Sequence, residues 1–271
     1  MPELPEVETI TRQLNTKTSG KKIERAEIFV PKIIKIPSKK FKRLVSGAKI
    51  KRTYRRAKLA IFELDNAWSL LFHLKLTGQL IFNGEKNKHT VLIFYFFDKN
   101  RLVFNDLRKF GFVKPIKTTE LPEFFKKENF GPEPLEKNFT LKVFKNILEQ
   151  RPRVKIKQFL MDPKNLAGIG NIYSDEILFA TGVHPSRPAA SLQEKEISEI
   201  FKNLKIILRL AVKLRGTSAD TYFDAFGQEG KFFQKLKVYG RKGKNCVKCK
   251  EKLERIKIGG RSAHFCPKCQ K

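Results

Sequence analysis

Cys246-Val247-Lys248-Cys249 and Cys266-Pro267-Lys268-Cys269 stand at the end of the sequence, sixteen residues apart. Each pair has the spacing that lets two sulfurs converge on one ion. Two such knuckles at this separation are the pattern of a single four-thiolate structural zinc (Zn2+) site. The remaining residues contain no cysteine, so the four form a local metal cluster and not a distributed disulfide framework. Four protein ligands leave no position for water, which makes the zinc structural. Lys244, Lys248, Lys250 and Lys268 surround the cluster and offset the negative charge of a zinc tetrathiolate. Between the knuckles, residues 258–265 read as a β-hairpin with Arg261 near its tip. A guanidinium there can reach a phosphate or a sugar, although spacing alone equally allows one more surface arginine.

Upstream of the cluster the pattern is helical. Ser191 and Glu194 read as a capping box, opening a long helix with Ile197, Ile200, Phe201, Leu204, Ile207, Leu208 and Ala211 on one side. Thr140 reads as the cap of a helix running to about Gln150. In Asn165-Leu166-Ala167-Gly168-Ile169-Gly170-Asn171-Ile172-Tyr173, two glycines precede Asn171, which suits an N-cap. Free N–H groups at that helix start would form a phosphate site; an ordinary helix-turn-helix corner fits the same residues. Residues 215–231 are rich in Gly, Ser and Asp and read as a mobile loop.

Gly131-Pro132-Glu133-Pro134 is the best linker, and before it the pattern changes. From residue 23 to 115 short apolar or alternating runs predominate, at 59–64, 69–74, 79–82, 91–97, 102–104 and 110–113. Asp65-Asn66, Asn83-Gly84 and Asp98-Lys99-Asn100 punctuate them. Many short strands with tight turns imply a sandwich or flattened barrel. Ahead of them, Val7, Ile10, Thr11 and Leu14 share one face of a leading helix that ends before Gly20. The fold class expected is therefore α+β.

Charge supplies the first functional constraint. Of 271 residues, 57 are Lys or Arg and 27 are Asp or Glu, a formal net charge of +30. Such a field calls for a polyanion, and nucleic acid is the first candidate. The apolar runs at 91–97 and 206–212 are too short to span a bilayer. The opening Met1-Pro2-Glu3-Leu4-Pro5-Glu6 lacks the basic and apolar regions of a signal peptide. A cytoplasmic, nucleoid-associated monomer with no membrane partner is expected.

The N-terminus carries possible chemistry. A small second residue permits removal of the initiator Met, and Pro2 would then present a secondary amine. An α-amino group titrates at about 7.7–8.0, well below a lysine at about 10.4. Attack on an aldehydic sugar carbon would give an iminium, which is covalent catalysis. Glu3 and Glu6 lie beside it as acids. The same residues also suit an ordinary helix start.

These segments together resemble the formamidopyrimidine-DNA glycosylase family. Carrying the resemblance are residues 1–9, Arg55-Arg56-Ala57-Lys58, His73-Leu74, residues 166–173, Val238-Tyr239-Gly240-Arg241-Lys242-Gly243 and the terminal cysteines. The resemblance implies an N-terminal catalytic β-sandwich (1–130), a helix-two-turn-helix DNA-binding domain (131–236) and a β-hairpin zinc finger (237–271). It implies base-excision repair of damaged double-stranded DNA. The enzyme would be a bifunctional glycosylase and AP lyase removing formamidopyrimidine and 8-oxoguanine. Pro2 is then the Schiff-base nucleophile, Glu3 the acid that opens the sugar ring, Lys58 the proton donor in β-elimination and Arg261 that in δ-elimination. Glu6 supports the pocket. His73, His89, Arg153, Lys157, Asn171 and Tyr239 match positions holding phosphates or the lesion region. Leu76, Arg108 and Phe110 match the wedge that fills the gap left by a flipped nucleotide. The sequence departs from the family where Leu76 replaces Met, and at Leu107 and Lys109, which bears on the choice of opposite base. Residues 215–231 match the lesion-covering loop only loosely. An endonuclease VIII-like enzyme for oxidised pyrimidines and a non-catalytic zinc-dependent DNA-binding protein are the alternatives.

Overall fold

Helix α1 (Leu4–Thr18) opens the chain. It forms because Val7, Ile10 and Leu14 recur at helical spacing, and all three are fully buried. Glu6 accepts the N–H of Glu3 at 2.8 Å in a capping box. The C-terminal end turns at Gly20, whose φ of +82° suits glycine. The computed structural model describes residues 1–219 and 221–271.

Next come β1 (Ile23–Ile28), α2 (Ser38–Val45), β2 (Ile50–Arg56), β3 (Leu59–Leu64), β4 (Trp68–His73), β5 (Gly78–Phe82), β6 (Thr90–Phe96), β7 (Arg101–Asp106) and β8 (Phe112–Lys117). Among the described residues these strands make two four-stranded antiparallel sheets, ordered β1-β6-β7-β5 and β2-β3-β4-β8. One core joins them, with Phe62 and Phe72 from one sheet and Phe94 and Phe104 from the other. Phe72 meets Phe94 and Phe104 edge-on, at 6.3 and 5.6 Å between centroids. Val7, Ile10 and Leu14 of α1 enter the same core.

Beyond the sheets lie α3 (Leu121–Glu128), α4 (Leu141–Glu149), α5 (Ile156–Met161), α6 (Asn171–Thr181) and α7 (Glu194–Lys213). The chain ends in β9 (Glu254–Ile258) and β10 (Arg261–Phe265), paired as a hairpin. Two compact units result. Residues 1–128 and 212–233 form the first, and residues 129–211 and 234–271 the second.

Several expectations needed revision. The strand read at 110–113 begins only at Phe112, because Asp106 and Lys109 (φ +54°) hold residues 107–111 in a turn. The cap of α7 is not Ser191 with Glu194. Gln193 donates its N–H to Glu196 at 2.8 Å, and Ser191 Oγ instead bonds the Pro188 carbonyl at 2.9 Å. Gly170, not Asn171, is the N-cap of α6. The loop read as mobile is fastened to the first unit at its described residues. Gln13 accepts the Ala225 N–H at 2.9 Å and donates to Asp224 at 3.0 Å, while Arg215 pairs with Asp224 at 2.8 Å. Position 220 of that loop lies outside the described residues. Thr140 does cap α4, accepting the Val143 N–H at 3.3 Å.

Candidate functional site

In the first unit, α1 positions the N-terminal residues. Pro2 and Glu3 are buried at its start. The Glu6 carboxylate has two tasks: Oε2 accepts the Glu3 N–H, and Oε1 accepts the Thr217 N–H at 2.8 Å. One side chain thus ties the helix start to the loop that follows α7. Gly216 makes the approach possible. Its φ is +80°, and a Cβ there would lie 2.8 Å from Glu6 Oε1. Tyr222, buried nearby, has its phenol pushed well above the usual range by burial and by the charges of Glu6 and Asp224.

Two residues further along α1, Glu8 reaches the strand that leads to Lys58. Arg55 Nε donates to Glu8 Oε2 at 2.7 Å, with the arginine side chain only 5% exposed. Arg55 Nη1 donates to the Ala57 carbonyl at 2.9 Å. Ala57 has φ +52°, so this contact holds a strained turn immediately before Lys58. Burial opposes ionisation of Glu8, but Arg55, by charge and hydrogen bond, and Arg12 beside it hold the carboxyl below its usual range. Arg55 is therefore an internal tie.

Lys58 precedes Leu59, which pairs with His73 across β3 and β4. His73 is held neutral. Burial, with the charges of Lys75 and Lys58, pushes its pKa down to about 3. Nδ1 accepts the Lys75 N–H at 2.9 Å, which leaves the ring proton on Nε2 as a donor. A neutral N–H donor suits a phosphate oxygen without titrating near neutrality.

The three wedge candidates occupy two neighbouring turns. Leu76 lies in the turn closed by Gly78 N–H to Leu74 carbonyl at 2.9 Å, where any Cβ on Gly78 would overlap that carbonyl oxygen. Arg108 and Phe110 lie in the turn after β7, and Phe110 is 55% exposed. The buried Asp106 joins the two turns. It accepts from Thr77 Oγ1, from the Gly111 N–H at 2.7 Å and from the Arg108 N–H at 3.2 Å. Its own N–H donates to the His89 carbonyl at 2.8 Å. The Arg108 guanidinium lies 4.8 Å from the centre of the Phe110 ring.

The second unit carries the remaining candidates. Arg153 is exposed ahead of α5. Asn171 opens α6, and its Oδ1 is buried with no hydrogen-bond partner among the described residues. Lys157 needs correction as a phosphate contact. It is 0% exposed, and its ammonium pairs with the equally buried Asp175 on α6. No phosphate on the protein surface can reach it. Tyr239 is placed by Glu176, whose carboxylate accepts the N–H groups of Lys237, Val238 and Tyr239 at 2.9–3.1 Å. Burial raises the Glu176 pKa, although those three donors oppose it. Asp106, Glu8 and Glu176 were all missed as site residues. Glu8 works through Arg55, 47 residues away, and Asp106 and Glu176 through backbone N–H groups, so no local sequence pattern marks them.

Arg261 follows Gly259 and Gly260, whose φ values of +54° and +77° make a tight hairpin turn. The guanidinium-bearing residue is exposed at the start of β10. Below it, the ligand sulfurs of Cys246, Cys249, Cys266 and Cys269 all lie within 4.8 Å of one another. Two of the separations are 3.9 and 3.5 Å, close to the roughly 3.8 Å edge of a tetrahedron with 2.3 Å zinc–sulfur bonds. Backbone N–H groups of Lys248 and Cys269 each approach a sulfur at 3.4 Å. The donor set fits one structural zinc.

Comparison with known proteins gives a consistent picture. Residues 1–113 match the formamidopyrimidine-DNA glycosylase N-terminal domain, and residues 130–222 match the H2TH domain of the same enzymes. Residues 243–271 match the zinc finger found in FPG and IleRS. The chain is 46% identical to the formamidopyrimidine-DNA glycosylase of Carboxydothermus hydrogenoformans and 42% identical to that of Listeria innocua, covering 100% of each chain. Among solved structures, it is similar to a Lactococcus lactis FPG mutant bound to Fapy-dG containing DNA. The TM-score is 0.93 at 36% identity, over 100% of both chains. It is equally similar to the Lactococcus lactis enzyme bound to abasic-site DNA, with a TM-score of 0.93 over 99% of each chain. The chain belongs to the formamidopyrimidine-DNA glycosylase family.

Proposed function

We propose that this protein removes oxidised purines from duplex DNA and then cleaves the abasic strand, acting in base-excision repair. The observation that carries the reading is the first unit's N-terminal arrangement. Pro2 stands at a buried helix start whose next residue is held by Glu6, and Lys58 stands on a turn held by Arg55. The relatives bound to formamidopyrimidine and abasic-site DNA support the same substrate.

With Met1 removed, the Pro2 amine attacks C1′ of the damaged nucleotide and the base departs. Glu3 protonates the ring oxygen, and an iminium joins Pro2 to the opened sugar. The positive iminium acidifies the neighbouring C2′ proton. Its loss expels the 3′ phosphate, with Lys58 serving the proton transfers. A second elimination expels the 5′ phosphate, served by Arg261. The target base must first leave the stack, which costs a few kcal/mol. Phe110, Leu76 and Arg108 offset this by filling the gap. His73, His89, Arg153, Asn171 and Tyr239 hold backbone or lesion, while Lys157 acts inside the second unit. Zinc supplies structural cross-linking of the finger through its four cysteines.

Functionally the chain has three parts: a catalytic sandwich (1–130), a helix-two-turn-helix region (131–236) and the finger (237–271). No helix among the described residues is long and apolar enough to cross a membrane. The net charge of +30 fits a monomer working on DNA in the cytoplasm, within the nucleoid. The test is incision of duplexes bearing formamidopyrimidine, 8-oxoguanine, an oxidised pyrimidine or no lesion. Preference for the two purine lesions is expected; preference for the pyrimidine would overturn the substrate assignment.

A further inference from the structure

In the second unit, Asp175 ties three elements through one carboxylate. It sits in the middle of α6 and is 0% exposed. Oδ1 pairs with Lys157 of α5. Oδ2 accepts the backbone N–H of His264 in β10 at 3.0 Å and lies 2.9 Å from the His264 ring Nδ1. The Lys157 ammonium also approaches Ser174 Oγ at 3.4 Å. Helix α5 also meets the hairpin directly, at its turn. A Cβ on Gly259 would lie 2.4 Å from Gln158 Nε2, so the turn rests against the residue next to Lys157.

The zinc cluster cannot do this work. All four of its ligands belong to the finger, so the metal holds the finger together without fixing it to the helices. The finger's base has its own ties to the end of α6 and the turn after it. Lys248 Nζ donates to the Phe179 and Ala180 carbonyls, and Gln270 donates to the Val183 carbonyl. Those bonds lie at the cysteine end. Asp175 grips β10 three residues from Arg261, on the tip side of Cys266. A buried ion pair is a weak source of stability compared with apolar packing of the same volume. Its distinctive contribution is directional, since the carboxylate oxygens accept from fixed donors on two different elements.

We propose that Asp175 is the positioning residue for Arg261, setting where the guanidinium stands during the second elimination. The inference rests on the assignment of Arg261 to that step. Lys157 is the partner that keeps the Asp175 carboxylate oriented. Base excision and the first elimination, assigned to Pro2, Glu3 and Lys58, do not depend on it.

The experiment uses the full-length, zinc-loaded protein on duplex DNA with one formamidopyrimidine lesion. Three proteins are compared with wild type: Arg261→Ala, Asp175→Asn, and Asp175→Leu combined with Lys157→Met, in which no acceptor is left for the His264 N–H. The last removes both buried charges, so it decides the matter if Asp175→Asn alone fails to fold. Zinc content, borohydride trapping and the ratio of doubly to singly eliminated products are measured. Arg261→Ala should lower that ratio. The double variant should keep its zinc and trap within about twofold of wild type, yet lower the ratio by roughly 10-fold or more, as small misplacements of a reacting group do. If Arg261→Ala lowers the ratio and the double variant does not, Asp175 does not position Arg261. A uniform loss of trapping and both eliminations would also overturn the inference, leaving Asp175 as part of the scaffold. An unchanged ratio in Arg261→Ala would refute the assignment of Arg261 itself.

Discussion

Replacing Arg55 with alanine tests the internal tie between α1 and the Lys58 turn. The substitution removes the buried one of the two guanidinium groups that hold the Glu8 carboxylate, leaving the exposed Arg12 at 2.6 Å. It also removes the Arg55 bond to the Ala57 carbonyl, which weakens the restraint on the turn at φ +52°. With Arg12 still in place, the loss is that of a charge-assisted hydrogen bond, about 1.5–3 kcal/mol. At roughly 2–4 °C per kcal/mol for a protein of this size, the melting temperature should fall by roughly 3–12 °C. Lys51→Ala is the internal control on the same strand. Its partner Glu63 lies 3.6 Å away, and the lysine side chain is 58% exposed, so the loss should stay within about 1 kcal/mol. Calorimetry gives the stabilities, and single-turnover incision below the melting range gives the chemistry. Turnover by Arg55→Ala at saturating DNA should fall roughly 10- to 100-fold as Lys58 loses its place. The tie is also acid-sensitive. The Glu8 pKa is lowered in the folded state, so the contribution is present above the usual carboxylate range and lost as pH falls through the folded value. A melting temperature within 2 °C or so of wild type, beside Lys51→Ala, would refute the reasoning.

Three further outcomes follow from the geometry. With its pKa at about 3, His73 should stay neutral and protonated on Nε2 across pH 5–8; nitrogen-15 NMR of the four histidines would contradict this by showing His73 titrating near 6.5. Any stability linked to that shift is complete above pH 6.5 and lost as pH falls toward 3. Gly216→Ala forces a Cβ against Glu6 Oε1 at φ +80°; it should cost about 1–3 kcal/mol in denaturant unfolding and slow base excision, whereas unchanged stability would count against the close approach. Cys249→Ser should reduce bound zinc below about one per chain and loosen the finger, whose metal supplies on the order of 10 kcal/mol; full second elimination without metal would show that the finger's order is not needed.

How much of this was legible in the sequence depends on the range of the interaction. Helix α1, the cysteine knuckles and the Gly259-Gly260 turn are specified by spacing within a few residues, and they stand where spacing put them. Lys157 could not be placed that way. A lysine in a short amphipathic stretch reads as solvated, and its partner Asp175 becomes a neighbour only once α5 meets α6. The same holds for Arg55, which looks interchangeable with Arg56 until Glu8 is brought to it. Asp106 and Glu176 are invisible for another reason: they bind backbone N–H groups, which every sequence supplies. The error at residues 110–113 has this origin, because Asp106 draws Gly111 into a turn that the apolar run conceals.

The central claim, that the Pro2 amine forms the covalent bond, is tested most directly by locating the bond. Enzyme and lesion duplex are mixed, reduced with borohydride, digested and sequenced by mass spectrometry. The expected result is a reduced sugar adduct on a peptide that begins at Pro2, with Met1 absent. An adduct on Lys58 or another lysine, or undiminished trapping by protein that retains Met1, would contradict the claim.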